Sequence, residues 1–215
     1  MIYTALGDSI TFGKDASSWQ RAYPQRILSA LHSSSHKACG HVFARPGWSS
    51  HELLHALRQE PLVLRGSTSV SIWIGGVDLA NGALSILKSQ RLLTVERILG
   101  SYKRNLTSII KLIKKFGSPR IVCCTQYNPF PNSPVAAEGI HQLNRMTNKL
   151  AQTFGIIVAP VHAWFEGKQA EMIHGYREGK IEDALGGFLP IHPNDHGHRV
   201  IASELAPYFA TRDST

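Results

Sequence analysis

The feature that most constrains the fold of this chain is the alternation of short apolar segments with longer amphipathic ones. Apolar runs typical of strands lie near 2–7, 40–45, 69–75, 119–125 and 156–161. Helical patterns lie near 23–33, 50–58, 94–116, 135–153 and 195–210, with a partly helical stretch at 78–92 and an irregular one at 163–190. Strands that alternate with helices predict an α/β fold, a three-layer α/β/α sandwich around a five-stranded parallel sheet.

The length of the chain suits a single domain over residues 1–215, because no linker or change in composition divides it. Three cysteines, two of them adjacent in a strand-like segment, do not resemble a disulfide framework. No secretory signal is recognisable, and no apolar run approaches the roughly 20 residues that a membrane span requires. These observations predict a cytoplasmic protein in a reducing compartment.

The net charge of +8 is concentrated in the helical pattern near 94–116, where five basic residues are interleaved with leucine and isoleucine. Such a pattern is typical of a helix with one solvated face. It also fits attraction to an anionic surface such as a phospholipid membrane. Nucleic-acid binding is not predicted, because no recognition motif accompanies the charge.

Polar or glycine-rich turns follow the first four predicted strands. Right-handed crossovers bring the carboxyl ends of parallel strands to one edge of the sheet, where ligands bind. We therefore expect four turn segments to converge there: Ser9, Gly47, 75–78 and 126–129. A histidine from the far end of the chain, His192, can reach this edge if the last helix packs beside the first strand. A serine and a histidine within hydrogen-bond reach are the minimum for a serine nucleophile.

The motifs at these turns resemble those of the SGNH hydrolase (GDSL lipase/esterase) family over nearly the whole chain. The first block reads LGDSITFG at 6–13, the second is Gly47, the third reads GGVD at 75–78, and the last contains His192-Pro193. The resemblance is to the bacterial branch that includes a spore-germination lipase. It implies a flavodoxin-like SGNH hydrolase fold and extends the expected location to the spore.

The resemblance also implies a mechanism. Ser9 is the expected nucleophile and His192 the general base, and the backbone N–H groups of Ser9 and Gly47 form the oxyanion hole. The expected reaction is hydrolysis of a carboxylic ester through an acyl-enzyme. A lipid or phospholipid ester is the favoured substrate, with an acetylated sugar as the alternative.

Two positions depart from the family pattern. Val77 stands where the family has an asparagine that donates to the oxyanion, and Leu189 stands where it has an aspartate that orients the histidine. An amide from another residue can replace the donor, and the candidates are Asn81, Gln126 and Asn128. Asp183 is the first candidate for the orienting acid and Asp195 the second. Alternatively, a backbone carbonyl orients His192, or the chain is a degenerate scaffold that acts as a binding protein.

A competing motif, His51-Glu52-Leu53-Leu54-His55, has the spacing of a zinc metalloprotease helix. The same segment also reads as a helix start, with Ser49 as the N-cap and Glu52 completing a capping box. The second interpretation is preferred, because this short pattern often arises by chance. We therefore predict that the reaction uses no metal and no other cofactor.

Overall fold

The computed structural model of the protein describes residues 1–35, 38–81, 95–185 and 187–210. Its five strands are Ile2–Gly7 (β1), Cys39–Ala44 (β2), Ser69–Trp73 (β3), Arg120–Cys124 (β4) and Ile157–Ala159 (β5). They form one sheet in the order β2-β1-β3-β4-β5, and every pair of neighbours is parallel. The predicted five-stranded parallel sheet is confirmed.

Helices separate these strands as the sequence predicts. The described α-helices are Ser9–Phe12 (α1), Tyr23–Ser35 (α2), Ser50–Gln59 (α3), Val95–Lys115 (α4), Pro134–Phe154 (α5), Val161–Phe165 (α6), Gln169–Met172 (α7) and Asp195–Leu205 (α8). Residues 76–81 are helical as well. The rest of the helix predicted near 78–92 lies outside the described residues. No helix within the described ranges combines the length and apolarity that a membrane crossing needs.

The two faces of the sheet carry separate hydrophobic cores, because successive side chains of a strand point to opposite sides. On β4, Val122 and Cys124 face one core, whereas Ile121 and Cys123 face the other. The first core includes side chains of α2 and α8, and the second includes side chains of α3, α4 and α5. The result is the expected three-layer sandwich, and both cysteines of β4 are buried core residues.

The sheet order creates a topological switch point between β1 and β3. The chain leaves β1 to add β2 on one side, and then crosses back to add β3, β4 and β5 on the other. Connections that diverge from neighbouring strands leave a crevice at their carboxyl ends, which is where ligands bind in open α/β sheets. Ser9 begins α1 directly after β1 and therefore stands at this crevice.

Candidate active site

Ser9 is held by a tight turn between β1 and α1. The carboxylate of Asp8 caps α1 by accepting a hydrogen bond from the N–H of Ile10 at 3.0 Å. Gly7 lets the turn lie against β3, since a Cβ atom at this position would lie 2.5 Å from the carbonyl oxygen of Trp73. Ser9 is 8% exposed, so its hydroxyl is nearly enclosed by the turn and by the segment packed against it.

The segment packed against Ser9 carries His192, whose Nε2 lies 2.9 Å from Ser9 Oγ. The backbone of this segment is pinned to the chain after α7. The N–H of His174 donates to the carbonyl of His192 at 2.9 Å, and the N–H of Asn194 donates to that of Met172 at 2.9 Å. These bonds fix the position of the imidazole, which is buried.

The other imidazole nitrogen contacts an acid that sequence reasoning missed. His192 Nδ1 lies 3.0 Å from Oδ2 of Asp15, in the loop that follows α1. The first candidate, Asp183, lies elsewhere, because its carboxylate accepts the N–H groups of residues 178, 179 and 180 at 3.0, 2.8 and 3.2 Å. The second, Asp195, binds Ser17 and Arg21. The expectation that Asp183 contacts His192 is therefore corrected.

A weak signal for Asp15 exists in the sequence. Asp15 is the one non-glycine residue with positive φ in the described part of the chain, at 66°. Aspartate tolerates this left-handed conformation better than most residues. An aspartate just beyond a glycine that ends a short helix fits such a turn, but the pattern says nothing about a histidine 177 positions away.

The electrostatic environment keeps His192 neutral near pH 7. Burial is the largest effect and lowers the pKa of His192, and the charges of Lys14 and His174 act in the same direction. The carboxylate of Asp15 opposes them through its charge and its hydrogen bond. A neutral imidazole can accept a proton from Ser9, which is what a general base requires.

The expected oxyanion side of the site contains Gly47, in the turn that follows β2. Its φ is 84°, and a Cβ atom placed here would meet no other atom within 4 Å. The turn therefore faces open space, which leaves room for a ligand beside the backbone. The third block, at 75–78, contacts the start of α3. Asp78 accepts hydrogen bonds from the N–H and the hydroxyl of Ser50 at 2.8 and 2.5 Å.

Comparison with known proteins identifies the family. Residues 5–200 match the model of the GDSL-like lipase/acylhydrolase family. The chain belongs to this family. It is accordingly a carboxylic ester hydrolase, and the resemblance inferred from its motifs is confirmed.

Individual relatives agree with this assignment. The spore germination lipase LipC of Bacillus licheniformis is 24% identical over 213 residues, which covers 94% of this chain and 93% of that protein. A lipase from a goat rumen metagenome has a similar fold, with a TM-score of 0.80, 23% identity and 99% of both chains covered. An acetylxylan esterase from Geobacillus stearothermophilus matches with a TM-score of 0.71 and 18% identity, over 98% of this chain and 94% of that one.

The amide side chains expected to replace the family asparagine differ in what they bind. Asn128 accepts the N–H of Phe130 at 2.9 Å and so shapes its own turn, and Asn81 is exposed. Gln126 is buried, and its Nε2 has no hydrogen-bond partner among the described residues. Its Oε1 lies 3.7 Å from where a Cβ of Gly76 would stand, beside Val77. Gln126 therefore has a buried amide donor that is unused among the described residues, and its side chain lies close to Gly76, the residue before Val77.

The zinc-like motif on α3 has the structure of a helix start. Ser49 caps the helix, and the carboxylate of Glu52 accepts the N–H of Ser49 at 2.9 Å, which completes the capping box. His51 and His55 are exposed. Over the described residues, no group of three or more histidine, cysteine, aspartate or glutamate side chains is arranged to hold a metal ion. That the reaction needs no metal stays a prediction.

The aromatic side chains of Tyr127, Trp48 and Trp19 have different surroundings. Tyr127 is buried, stacks on Phe165 with ring centroids 4.0 Å apart, and donates its hydroxyl to the carbonyl of Ile191. It therefore supports the segment of His192 from the core. Trp48 packs on Phe43, whereas Trp19 is 65% exposed on the loop after α1.

Proposed function

We propose that the protein hydrolyses carboxylic esters through an acyl-enzyme on Ser9, with His192 as the general base. The observation that carries this proposal is the 2.9 Å contact between Ser9 Oγ and His192 Nε2 at the switch point of the sheet. A serine this close to a neutral imidazole is an activated nucleophile. A degenerate binding scaffold has no need to retain this contact.

The reaction follows from the proton positions. His192 Nε2 takes the proton of Ser9 as Oγ attacks the ester carbonyl, and the imidazolium then gives that proton to the departing alcohol oxygen. His192 Nε2 then deprotonates the water that attacks the acyl-enzyme, and the imidazolium gives this proton to Ser9 Oγ as the carboxylic acid product leaves. The backbone N–H groups of Ser9 and Gly47 hold the oxyanion of each tetrahedral intermediate. Gln126 is the candidate for the amide donor that Val77 cannot supply.

The surroundings of the site favour a lipid ester with an anionic group. Phe12 and Trp19, on the segment that follows Ser9, are 52% and 65% exposed, although both are large and apolar. Beside the same loop lies an open depression of about 610 Å³, lined by Gln20, Arg21, Arg26, Asp195, His196 and Arg199. Apolar side chains next to a basic depression suit an acyl chain and a phosphate group. This depression, rather than the basic face of α4, is the proposed contact with an anionic membrane surface.

The nucleophile is tested by covalent labelling. A fluorophosphonate reacts with activated serines, and we expect its adduct on the tryptic peptide that ends at Lys14. Ser9→Ala should lose the label and about 10⁴-fold or more in turnover of a short-chain ester. Ser18→Ala is the matched control, since Ser18 is exposed and caps nothing with its side chain. An adduct on another peptide of active protein would reject the proposal.

The substrate class is tested with the same preparation. A chelator is present throughout, because the proposed reaction uses no metal. Hydrolysis of anionic phosphatidylglycerol vesicles should be faster than hydrolysis of neutral phosphatidylcholine vesicles, because the depression is basic. Acetylated xylan is the third substrate. Faster release of acetate from xylan than of fatty acid from either vesicle would replace the lipid proposal with the sugar esterase alternative.

A further inference from the structure

The position from which this family orients its histidine is apolar in this chain. Leu189 is 43% exposed, and a leucine side chain cannot accept a hydrogen bond. His192 Nδ1 nevertheless faces a carboxylate at 3.0 Å, that of Asp15. The two residues are 177 positions apart, and the side chain of His192 is 4% exposed against 20% for Asp15.

We propose that Asp15 is the positioning residue that orients His192, so that the loop after the nucleophile replaces the usual acid before the histidine. This inference rests on the proposed chemistry of Ser9. With Nδ1–H donating to Asp15, Nε2 keeps its lone pair for the proton of Ser9. The carboxylate then stabilises the imidazolium that forms when this proton arrives.

The backbone of the loop supports this placement. Helix α1 ends at Gly13 with φ of 91°, and the N–H of Lys14 donates to the carbonyl of Ser9 at 2.9 Å. Asp15 then adopts a left-handed conformation with a φ of 66°, which aspartate tolerates better than most residues. The loop thus turns back on the nucleophile helix and directs the carboxylate to His192.

The segment that carries His192 is also hydrogen-bonded to the chain just after Asp15. Asp195 accepts the N–H and hydroxyl of Ser17 at 2.9 and 2.7 Å and binds Arg21 Nη1 at 2.8 Å. Because Asp195 lies three residues after His192, one segment carries the imidazole and the anchor of the acid that contacts it. This connection ties the loop that carries Asp15 to the segment that carries His192.

The pKa of His192 gives a readout that a purely structural role of Asp15 would not change. The charged or titratable groups around His192 are Asp15, which raises its pKa, Lys14 and His174, which lower it, and the neighbouring His198. Without the carboxylate of Asp15, nothing in this set opposes the effects of burial, Lys14 and His174, all of which lower the pKa of His192. The pKa of His192 should therefore fall further, and the acidic limb of the kcat/KM profile should move to lower pH.

The test is Asp15→Asn, with Asp183→Asn as the matched control. Asparagine has the same shape and tolerates positive φ, so the loop should keep its fold. We expect Asp15→Asn to lower kcat at least about 100-fold, within the roughly 10⁴-fold that losing such an acid costs. The acidic limb should shift as described, and Asp183→Asn should keep nearly the rate and profile of the original protein. Urea unfolding of both variants checks that their folds are intact.

A measurement on the unaltered protein keeps the inference testable if Asp15→Asn unfolds. In ¹⁵N-histidine NMR above the pKa, His192 should be the Nδ1–H tautomer, and an Nε2–H tautomer would overturn the inference. A near-normal rate for Asp15→Asn would also overturn it, while fluorophosphonate labelling of Ser9 leaves the proposed function standing. If Ser9→Ala retains activity and no label attaches to Ser9, the proposed function itself fails.

Discussion

At the scale of single residues, the site depends on backbone conformations that few side chains allow. Gly47 has a φ of 84° and sits where its N–H is proposed to hold the oxyanion. Gly155, which ends α5, has a φ of 62°. A Cβ atom at either position would meet no other atom within 4 Å. Both glycines therefore need a positive φ, but only Gly47 belongs to the proposed oxyanion hole.

This pair allows catalysis to be separated from stability. Gly47→Ala and Gly155→Ala should each lower the free energy of unfolding by about 1–2 kcal/mol, because alanine is strained at positive φ. Only Gly47→Ala should also reduce kcat, by up to about 10²-fold, because relief of the strain at positive φ would turn the backbone N–H of residue 47 away from the oxyanion. Urea titration and steady-state kinetics measure the two effects. Equal kcat values for the two variants would contradict the proposed role of Gly47 in the oxyanion hole.

At the scale of elements, the start of α8 connects the two halves of the site. Asn194 caps this helix by accepting the N–H of Gly197 at 2.9 Å, and Asp195 binds the loop after α1. Burial opposes ionisation of Asp195, but hydrogen bonds from Ser17 and Arg21 outweigh it and lower the pKa to about 2. The anchor of the Asp15 loop is therefore charged at every pH at which the enzyme would be assayed.

Asp195→Asn should weaken this anchor while leaving Ser9, His192 and Asp15 in place. For a short-chain ester, which has no group to enter the basic depression that Asp195 lines, we expect kcat to fall on the order of tenfold with little change in KM, because small misplacements of reacting groups are costly. Glu178→Gln is the control, since Glu178 forms an exposed ion pair with Lys180 at 2.7 Å. Steady-state kinetics of the two variants measure the effect. An unchanged kcat for Asp195→Asn would show that the loop of Asp15 keeps its conformation without the hydrogen bonds to Asp195.

At the scale of the whole molecule, α8 and α2 are joined by a buried histidine. The side chain of His198 stacks on Tyr23 with ring centroids 6.3 Å apart, and its Nδ1 accepts the N–H of Tyr23 at 3.3 Å. Burial lowers its pKa to about 4 from an ordinary value near 6.5. The folded chain therefore takes up this proton only at lower pH than the unfolded chain does.

This difference makes stability depend on pH. The contribution of His198 is complete above about pH 6.5 and is lost as the pH falls towards 4, on the order of 3 kcal/mol in total. The lowered pKa of His192 acts with the same sign. His198→Asn keeps an acceptor but cannot titrate, so urea unfolding at pH 7, 5.5 and 4.5 should show a shallower decline. An equally steep decline in the variant would assign the effect to other groups.

Much of this protein can be predicted from its sequence, because the information is local. Short apolar runs identify the five strands, the period of 3.6 identifies the main helices, and their alternation implies the parallel sheet. The turn after β1 places Ser9 at the carboxyl edge by topology alone. The capping box on α3 is likewise readable, since Ser49 and Glu52 are three residues apart.

Only the tertiary structure decided which acid meets His192. Local spacing favoured Asp183, nine residues before the histidine, but that carboxylate binds three backbone N–H groups of its own loop. Asp15 reaches His192 because a left-handed turn, the end of α1 and the anchor at Asp195 together direct it there. A contact between loops 177 positions apart depends on how both pack onto the sheet. Sequence periodicity reports which face of an element is buried, and it does not report how two loops meet.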